Sequence, residues 1–115
     1  MLEKIILEIG MNHLGDIESL NRLSNYIIKK KISYVTLQFR EDDFYKKSIN
    51  KKYIINPDLL VKQFNILRKK NIKIGFAVAD TNYKKFVNNY IPDFFKVLSW
   101  SANDLNLLSY LNQFN

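Results

Sequence analysis

The stretch that decides the fold is residues 4–31, KIILEIGMNHLGDIESLNRLSNYIIKKK, near the start of the chain. Its first six residues form a short apolar run of strand length, which Gly10 closes. Residues 12–15 are typical of a turn, and Asp16 is suited to cap a helix. Apolar residues then recur at helical spacing, which predicts a helix that ends near Lys31. They are Ile17, Leu20, Leu23, Ile27 and Ile28.

The same strand-then-helix pattern returns three more times. Residues 33–39, 72–79 and 94–98 are rich in β-branched and aromatic side chains, and each predicts a strand. An amphipathic pattern follows each of them, and the one after residues 72–79 ends before Pro92, which cannot continue a helix. The residues predicted to begin these helices are Asn56 with Pro57, Asp80 or Thr81, and Asn103 or Asp104. Residues 40–55 exceed the usual connection length, which favours a functional loop or an added short helix.

The predicted fold class is α/β, with four consecutive βα units in a parallel sheet. The units lie at roughly residues 3–31, 32–70, 71–91 and 93–115 of a single partial (β/α)-barrel domain. Strands that alternate with helices pair in parallel through right-handed crossovers. Both an open sheet of the flavodoxin type and half of a TIM-type (β/α)8 barrel fit this order.

Composition excludes several classes of protein. The chain has 115 residues, of which 47% are hydrophobic, so it can bury a core and is not a disordered chain. It has no cysteine, which excludes disulfides and cysteine-based catalysis or metal binding. The net charge is +7, but the lysines are scattered in short groups, so we expect no nucleic acid partner. Because no apolar leader or membrane-length run is present, we expect a cytoplasmic protein without a membrane partner.

Polar residues cluster where the predicted strands end, which is where parallel α/β folds bind ligands. These residues are Glu8, Asn12, His13, Gln38, Arg40, Asp80, Lys96, Ser99 and Ser101. Lys96 is the most informative, because it lies among apolar residues within the fourth strand and a buried unpaired cation is costly. It either holds an anionic ligand, forms a salt bridge with Glu8, or extends outwards to solvent.

Other familiar sites are not indicated. The spacing of Gly10 and Gly15 does not match a dinucleotide-binding loop, and no P-loop motif occurs. One histidine, His13, cannot form a zinc site, which needs about three or four protein ligands. Trp100 follows Ser99 at the end of the fourth strand, where it either stacks on a substrate or packs over the strand end.

The string Glu8-Ile9-Gly10-Met11-Asn12-His13-Leu14-Gly15-Asp16 resembles the E-I-G-x-N-H-x-G opening of the sialic acid (N-acetylneuraminate) synthase family. Residues 34–38 resemble that family's V-K-x-Q strand, and residues 71–80 resemble its strand ending in S-T-P-F. Residues 95–105, FKVLSWSANDL, resemble its K-I-x-S-G-E-x-x-N-x-P-L segment. The resemblance therefore covers nearly the whole chain and implies the N-terminal half of a barrel that condenses phosphoenolpyruvate with an N-acylated amino sugar.

The resemblance implies roles for six residues. Glu8 and His13 are expected to be catalytic, whereas Asn12, Gln38, Lys96 and Ser99 are expected to bind substrate. Lys96 and Ser99 would hold the phosphate or carboxylate, since an ammonium group and a hydroxyl suit such an anion. The family also implies a divalent metal, Mn²⁺ or Mg²⁺, bound by residues that come later than those present here. We therefore assign no metal ligand and no cofactor within this chain.

Five positions depart from the family motifs and predict a weakened phosphoenolpyruvate site. Thr36 stands where the family has lysine, and Ala79 and Asp80 replace the threonine and proline of S-T-P-F. Trp100 and Ser101 replace the glycine and glutamate of S-G-E. Each lost charge-assisted hydrogen bond costs about 1.5–3 kcal/mol of binding free energy.

Three functions follow from these observations as alternatives. The chain is part of a synthase, a non-catalytic module that binds an anion or a sugar, or an assembly-dependent barrel remnant. A half-barrel leaves its first and last strands unpaired and its inner face uncovered. We therefore expect a homo-oligomer or a partner chain that completes the barrel, and no turnover by the isolated chain.

Overall fold

The computed structural model describes residues 5–87 and 89–114 and contains one sheet with helices on one side of it. The strands are β1 (Ile6–Ile9), β2 (Tyr34–Phe39), β3 (Lys73–Val78) and β4 (Phe94–Val97), and the α-helices are α1 (Ile17–Lys29), α2 (Asp42–Lys46), α3 (Pro57–Arg68) and α4 (Leu105–Leu111). The strand order is β1-β2-β3-β4, and all three pairings are parallel. The predicted α/β class with four consecutive strand-containing units is confirmed. Lys4, predicted to begin β1, and the outer limits at residues 3 and 115 lie outside the described residues.

The predicted helix starts are confirmed by their caps. The Asp16 side chain accepts hydrogen bonds from the Glu18 and Ser19 amides at the start of α1. Asn56 caps α3 in the same way, with Pro57 in its first turn. Asp104 caps α4 through the amides of Asn106 and Leu107. These side chains satisfy backbone donors that lack partners at a helix start, so the local sequence sets each boundary.

The third unit differs from the prediction of a helix that ends just before Pro92. It contains a 3₁₀ helix at Thr81–Lys85, which Asp80 caps through the amide of Asn82. Asn89 has φ of 60°, a left-handed conformation that asparagine tolerates better than most residues and that interrupts a right-handed helix. The helical spacing of the apolar residues therefore predicted a longer helix than the one that the structure contains.

The two faces of the sheet have different surroundings. Side chains on the convex face pack beneath the helices and form the core, in which Phe76 and Ile74 are completely buried. Other members contributed by the strands are Ile9, Val35, Leu37, Phe39 and Val78. The alternate residues, including Glu8 and Thr36, share the concave face because their Cα atoms are paired in register. Burial on one face thus sets the register of all four strands.

The sheet is curved like the wall of a barrel. Lys96 on β4 and Glu8 on β1 form an ion pair across the concave face, with 2.5 Å between Nζ and Oε2. Three strand spacings in a flat sheet amount to about 14 Å between the backbones of the outer strands. Curvature shortens that span to a distance that the two side chains can bridge. The strands also lie in chain order, β1-β2-β3-β4, and not in the 2-1-3-4 order of a flavodoxin-type sheet. The four-stranded sheet therefore has the arrangement of half of a TIM-type barrel, as the half-barrel alternative predicted.

The long connection between β2 and α3 is folded, as the short-helix alternative predicted. It contains α2 and a 3₁₀ helix at Ser48–Tyr53. Gly15, with φ of 71°, lies directly against the Lys52 carbonyl group, so this connection packs on the loop between β1 and α1. Within the described residues, no helix is long and apolar enough to cross a membrane.

Candidate functional site

The ion pair between Glu8 and Lys96 is the centre of the candidate site on the concave face. The Thr36 hydroxyl donates a hydrogen bond to the same Glu8 oxygen, Oε2, at 3.4 Å. Thr36 is only 1% exposed, whereas 53% of the Lys96 side chain and 34% of the Glu8 side chain are exposed. The salt-bridge alternative predicted for Lys96 is therefore present, and the ammonium group is still accessible to solvent. An incoming anion would have to share or replace Glu8 as the partner of Lys96.

A shallow cavity of about 380 Å³ lies beside this pair. Its walls come from β1, β2 and β4, and its lining residues are Ile6, Glu8, Thr36, Phe94, Phe95 and Lys96. Phe94 packs its ring against Gly75, where an added Cβ would overlap the ring. The cavity therefore combines one cation, one carboxylate and one hydroxyl with aromatic and aliphatic walls, a composition typical of small-molecule sites.

Two of the predicted substrate-binding side chains converge at the carboxyl end of the sheet. A Cβ added at Gly10 would lie 3.6 Å from both Asn12 Oδ1 and Gln38 Oε1, so the two amide groups flank Gly10. Ser99 is exposed and begins the 3₁₀ helix Ser99–Ser101 directly after β4. The structure thus gathers Asn12 and Gln38 at one strand end and leaves Ser99 on the adjacent rim.

His13 is placed differently from Glu8 and Lys96. It is 4% exposed, and its Nδ1 accepts a hydrogen bond from the Gly15 amide at 3.0 Å. It lines a cavity of about 10 Å³ whose walls include Gln38 but neither Glu8 nor Lys96. Burial lowers the pKa of His13, which favours the neutral ring that this hydrogen bond requires. In this geometry, His13 supports the loop that carries Asn12.

Arg40 and Asp80, the other strand-end candidates, organise the rim of the sheet. The Arg40 guanidinium lies 4.4 Å from the ring centroid of Phe44 and 5.1 Å from that of Trp100. Asp80 accepts hydrogen bonds from the backbone amides of Asn82 and Asp42, at 2.9 and 3.2 Å. Asp80 therefore links the end of β3 to the start of α2 and is committed to structural bonds.

Thr36 has a role that was not predicted from the sequence, where it stands only in place of a lysine of the resembling motif. Because Thr36 is paired in register with Glu8, its hydroxyl lies beside that carboxylate on the concave face. The alternation of residues in neighbouring parallel strands was the available signal. Tyr45 was not predicted to contact this rim either, yet its hydroxyl accepts a hydrogen bond from the Arg40 backbone amide at 3.2 Å.

The described residues do not fit a divalent metal. Across residues 5–87 and 89–114, no group of three or more histidine, cysteine, aspartate or glutamate side chains is arranged to hold an ion. The carboxylates nearest the sheet rim, such as Asp80 and Glu41, already accept hydrogen bonds from amides or from Arg40. No step of the mechanism is therefore assigned to a metal held by these residues.

Comparison with known proteins adds one solved structure. No protein family model and no curated protein sequence matches this chain. The chain is similar to the spore coat polysaccharide biosynthesis protein SpsE from Bacillus subtilis, with a TM-score of 0.73 and 23% sequence identity. The match covers 96% of this chain and 33% of that chain, so this chain spans about a third of the length of SpsE. At this identity, the likeness establishes a shared fold over nearly all of the chain.

Proposed function

We propose that this chain is the N-terminal half of a synthase barrel that condenses phosphoenolpyruvate with an N-acylated amino sugar. The observation that carries the proposal is the solvent-accessible Lys96, held by Glu8 at a concave sheet face with Asn12 and Gln38 at the strand ends. These positions are the ones that the sialic acid synthase resemblance implies. The similarity to a polysaccharide biosynthesis protein supports the same class of chemistry.

Each side chain has a distinct role in this proposal. Lys96 attracts the carboxylate or phosphate of phosphoenolpyruvate, with Ser99 as a neighbouring hydroxyl donor. Asn12 and Gln38 offer amide groups to the hydroxyl and acyl groups of the sugar. Glu8 keeps Lys96 oriented in the free protein and is the carboxylate available for proton transfer. His13 serves the site by supporting the loop that carries Asn12.

A second polypeptide segment would complete the barrel. β1 and β4 are the outer strands of the sheet formed by the described residues. Apolar side chains beside both strands are exposed, including Ile6 on β1 and Leu105 and Leu108 on α4. A second copy of this chain, or a partner chain that carries the remaining units, would cover these surfaces. The concave site would then gain its opposite wall, which the isolated half-barrel lacks.

A non-catalytic module for an anion or a sugar is the second candidate function. The observation that favours it is the pairing of Lys96 with Glu8, together with Thr36 in place of the family's lysine. One ammonium group that is already neutralised binds phosphate less strongly than two would. A barrel remnant that is stable only in an assembly is the third reading, and the exposed edges favour it.

Calorimetric titration with phosphoenolpyruvate tests the site directly. We expect saturable binding that weakens by about 10- to 150-fold in Lys96→Ala, the equivalent of one lost charge-assisted hydrogen bond. Lys62→Ala is the matched control, since Lys62 is an exposed lysine on α3, away from the concave cavity. Glu8→Gln should bind more tightly than the unmodified chain, because it removes the anion that competes for Lys96. Equal affinities in all four proteins would contradict the proposed site.

Turnover distinguishes the catalytic proposal from the binding module. The isolated chain should release no phosphate from phosphoenolpyruvate and N-acetylmannosamine in the presence of Mn²⁺. Addition of the polypeptide that completes the barrel should produce release, and that release should be lost in Lys96→Ala. Phosphate release by the chain alone would overturn the requirement for a second half. Binding without release in the completed assembly would favour the non-catalytic module.

A further inference from the structure

Trp100 occupies an unusual position for a large aromatic residue. It is the single tryptophan of the chain, it is 60% exposed, and it lies four residues beyond Lys96. It belongs to the 3₁₀ helix Ser99–Ser101, which follows β4 directly. The Leu98 amide donates to the Val78 carbonyl at 3.0 Å, so the backbone that leads into this helix is still bound to the sheet. Trp100 therefore projects from a well-supported part of the rim and is not at the tip of a long loop.

Arg40 holds the indole ring in place. Its guanidinium lies 5.1 Å from the Trp100 ring centroid and 4.4 Å from the Phe44 ring centroid. Arg40 directly follows β2, whereas Trp100 lies just beyond β4, so the contact joins the rims of two strands that β3 separates. A cation above an aromatic face is attracted by the ring quadrupole, and this cation–π attraction is strongest for tryptophan.

Arg40 is itself fixed by several bonds. Its guanidinium donates to both carboxylate oxygens of Glu41, at 3.1 and 2.9 Å. Its backbone amide donates to the Tyr45 hydroxyl at 3.2 Å, and Asp80 anchors the start of α2 through the Asp42 amide. A side chain held in this way loses little further freedom when a ligand packs on its neighbour. The indole ring is therefore preorganised before any ligand arrives.

We propose that the open surface of Trp100 is a stacking platform for the amino sugar, with Arg40 as its positioning residue. This inference rests on the proposed function and names the part of the site that selects the sugar ring. A pyranose ring has polar edges but C–H groups on its faces, and such faces suit the electron-rich face of an aromatic ring. Glycine stands at this place in the resembling motif, so the motif itself provides no aromatic ring here.

Because Trp100 is the single tryptophan, its fluorescence reports on the platform without a label. Titration of the full chain with N-acetylmannosamine should change the emission in a saturable way. Glycerol lacks a pyranose face, and at the same concentrations it should not change the emission. Calorimetry should show sugar affinity about tenfold lower in Trp100→Ala, with phosphoenolpyruvate affinity unchanged. Trp100→Phe keeps an aromatic face and should restore most of the affinity, and Arg40→Met should lower sugar affinity while the indole remains.

Phe114→Ala is the matched control, because Phe114 is another partly exposed aromatic residue but contacts Phe95 and Tyr110 near α4. It should leave sugar affinity unchanged. Emission that does not respond to the sugar, or equal sugar affinity in Trp100→Ala and the unmodified chain, would overturn the platform. If phosphoenolpyruvate still binds in a Lys96-dependent manner, only this inference fails. If neither ligand binds the unmodified chain, the proposed function fails with it. The fluorescence titration uses the unmodified chain, so it decides the matter even if a variant does not fold.

Discussion

Gly15 and Gly10 provide a matched test of how the β1–α1 loop is built, because both lie in the same motif and both can be changed to alanine. Gly15 has φ of 71°, and an added Cβ would overlap the Lys52 carbonyl oxygen and lie 2.6 Å from its carbonyl carbon. A Cβ at Gly10 would meet only Asn12 Oδ1 and Gln38 Oε1, each at 3.6 Å. The first contact requires backbone to move, whereas the second is ordinary van der Waals contact.

The expected loss of stability follows from these contacts. A residue with a side chain in the left-handed region costs about 1–2 kcal/mol. Displacement of the Lys52 backbone resembles overpacking, which costs about 1–3 kcal/mol. Reduced freedom of the unfolded chain offsets about 0.4–1 kcal/mol of this for any glycine-to-alanine change. Gly15→Ala should therefore lower the free energy of unfolding by about 3 kcal/mol, and Gly10→Ala should be neutral or slightly stabilising.

Urea unfolding followed by circular dichroism measures both variants under the same conditions. For urea slopes of about 1–3 kcal/mol/M, the Gly15→Ala midpoint should fall by about 1–3 M. Failure of Gly15→Ala to fold would agree with the same reasoning, provided that Gly10→Ala folds normally. Midpoints that agree within about 0.3 M would refute it, because the close approach of Gly15 to Lys52 would then have no energetic consequence.

Two further predictions concern stability. Burial lowers the pKa of His13 below its ordinary value of about 6.5, so its neutral form stabilises the fold fully above that pH. Stability should fall as pH drops from 6.5 towards the lower folded-state pKa. His13→Gln, which keeps a hydrogen-bond acceptor, should remove that slope in urea midpoints measured between pH 7.5 and 5. If the slope persisted in the variant, another group would have to cause it. Asp93→Ala should lower the free energy of unfolding by about 1–3 kcal/mol. The reason is that the Asp93 carboxylate accepts a hydrogen bond from the Ile74 amide at 2.8 Å and forms a salt bridge with Arg68. Asp43→Ala is the control, because the Asp43 carboxylate is highly exposed, and it should change the free energy of unfolding by less than about 0.5 kcal/mol. Thermal denaturation measures both variants, and equal losses of stability in the two would contradict this account.

Prediction from sequence worked best where local chemistry decides the structure. The helix caps at Asp16, Asn56 and Asp104 are confirmed because a side-chain oxygen satisfies amides only two or three residues away. It worked less well at residues 81–90, where helical spacing of apolar residues continued although the backbone turns at Asn89. Helical spacing of apolar residues indicates which side chains are buried. Tyr83 in the short 3₁₀ helix and Val87 just after it are both buried without a regular helix through these residues.

The positions of the candidate residues in the sheet were predictable from the sequence, but their contacts were not. The sequence indicated that Glu8, Asn12, Gln38 and Lys96 lie towards one end of the sheet, because the carboxyl ends of parallel strands meet there. It could not decide between an ion pair and a free cation at Lys96, since that choice depends on the curvature that brings β4 towards β1. It also gave no means to see that His13 lines a different cavity from Glu8.

By itself, the sequence determined the order of the elements, their parallel pairing and the polar residues at the strand ends. These depend on alternation, helical spacing and caps, which act over a few residues. Only the tertiary structure decided that the sheet curves, that Lys96 reaches Glu8, and that Arg40 holds Trp100 at the rim. Those contacts join residues on different strands, and their distances follow from how the whole sheet twists and packs against its helices.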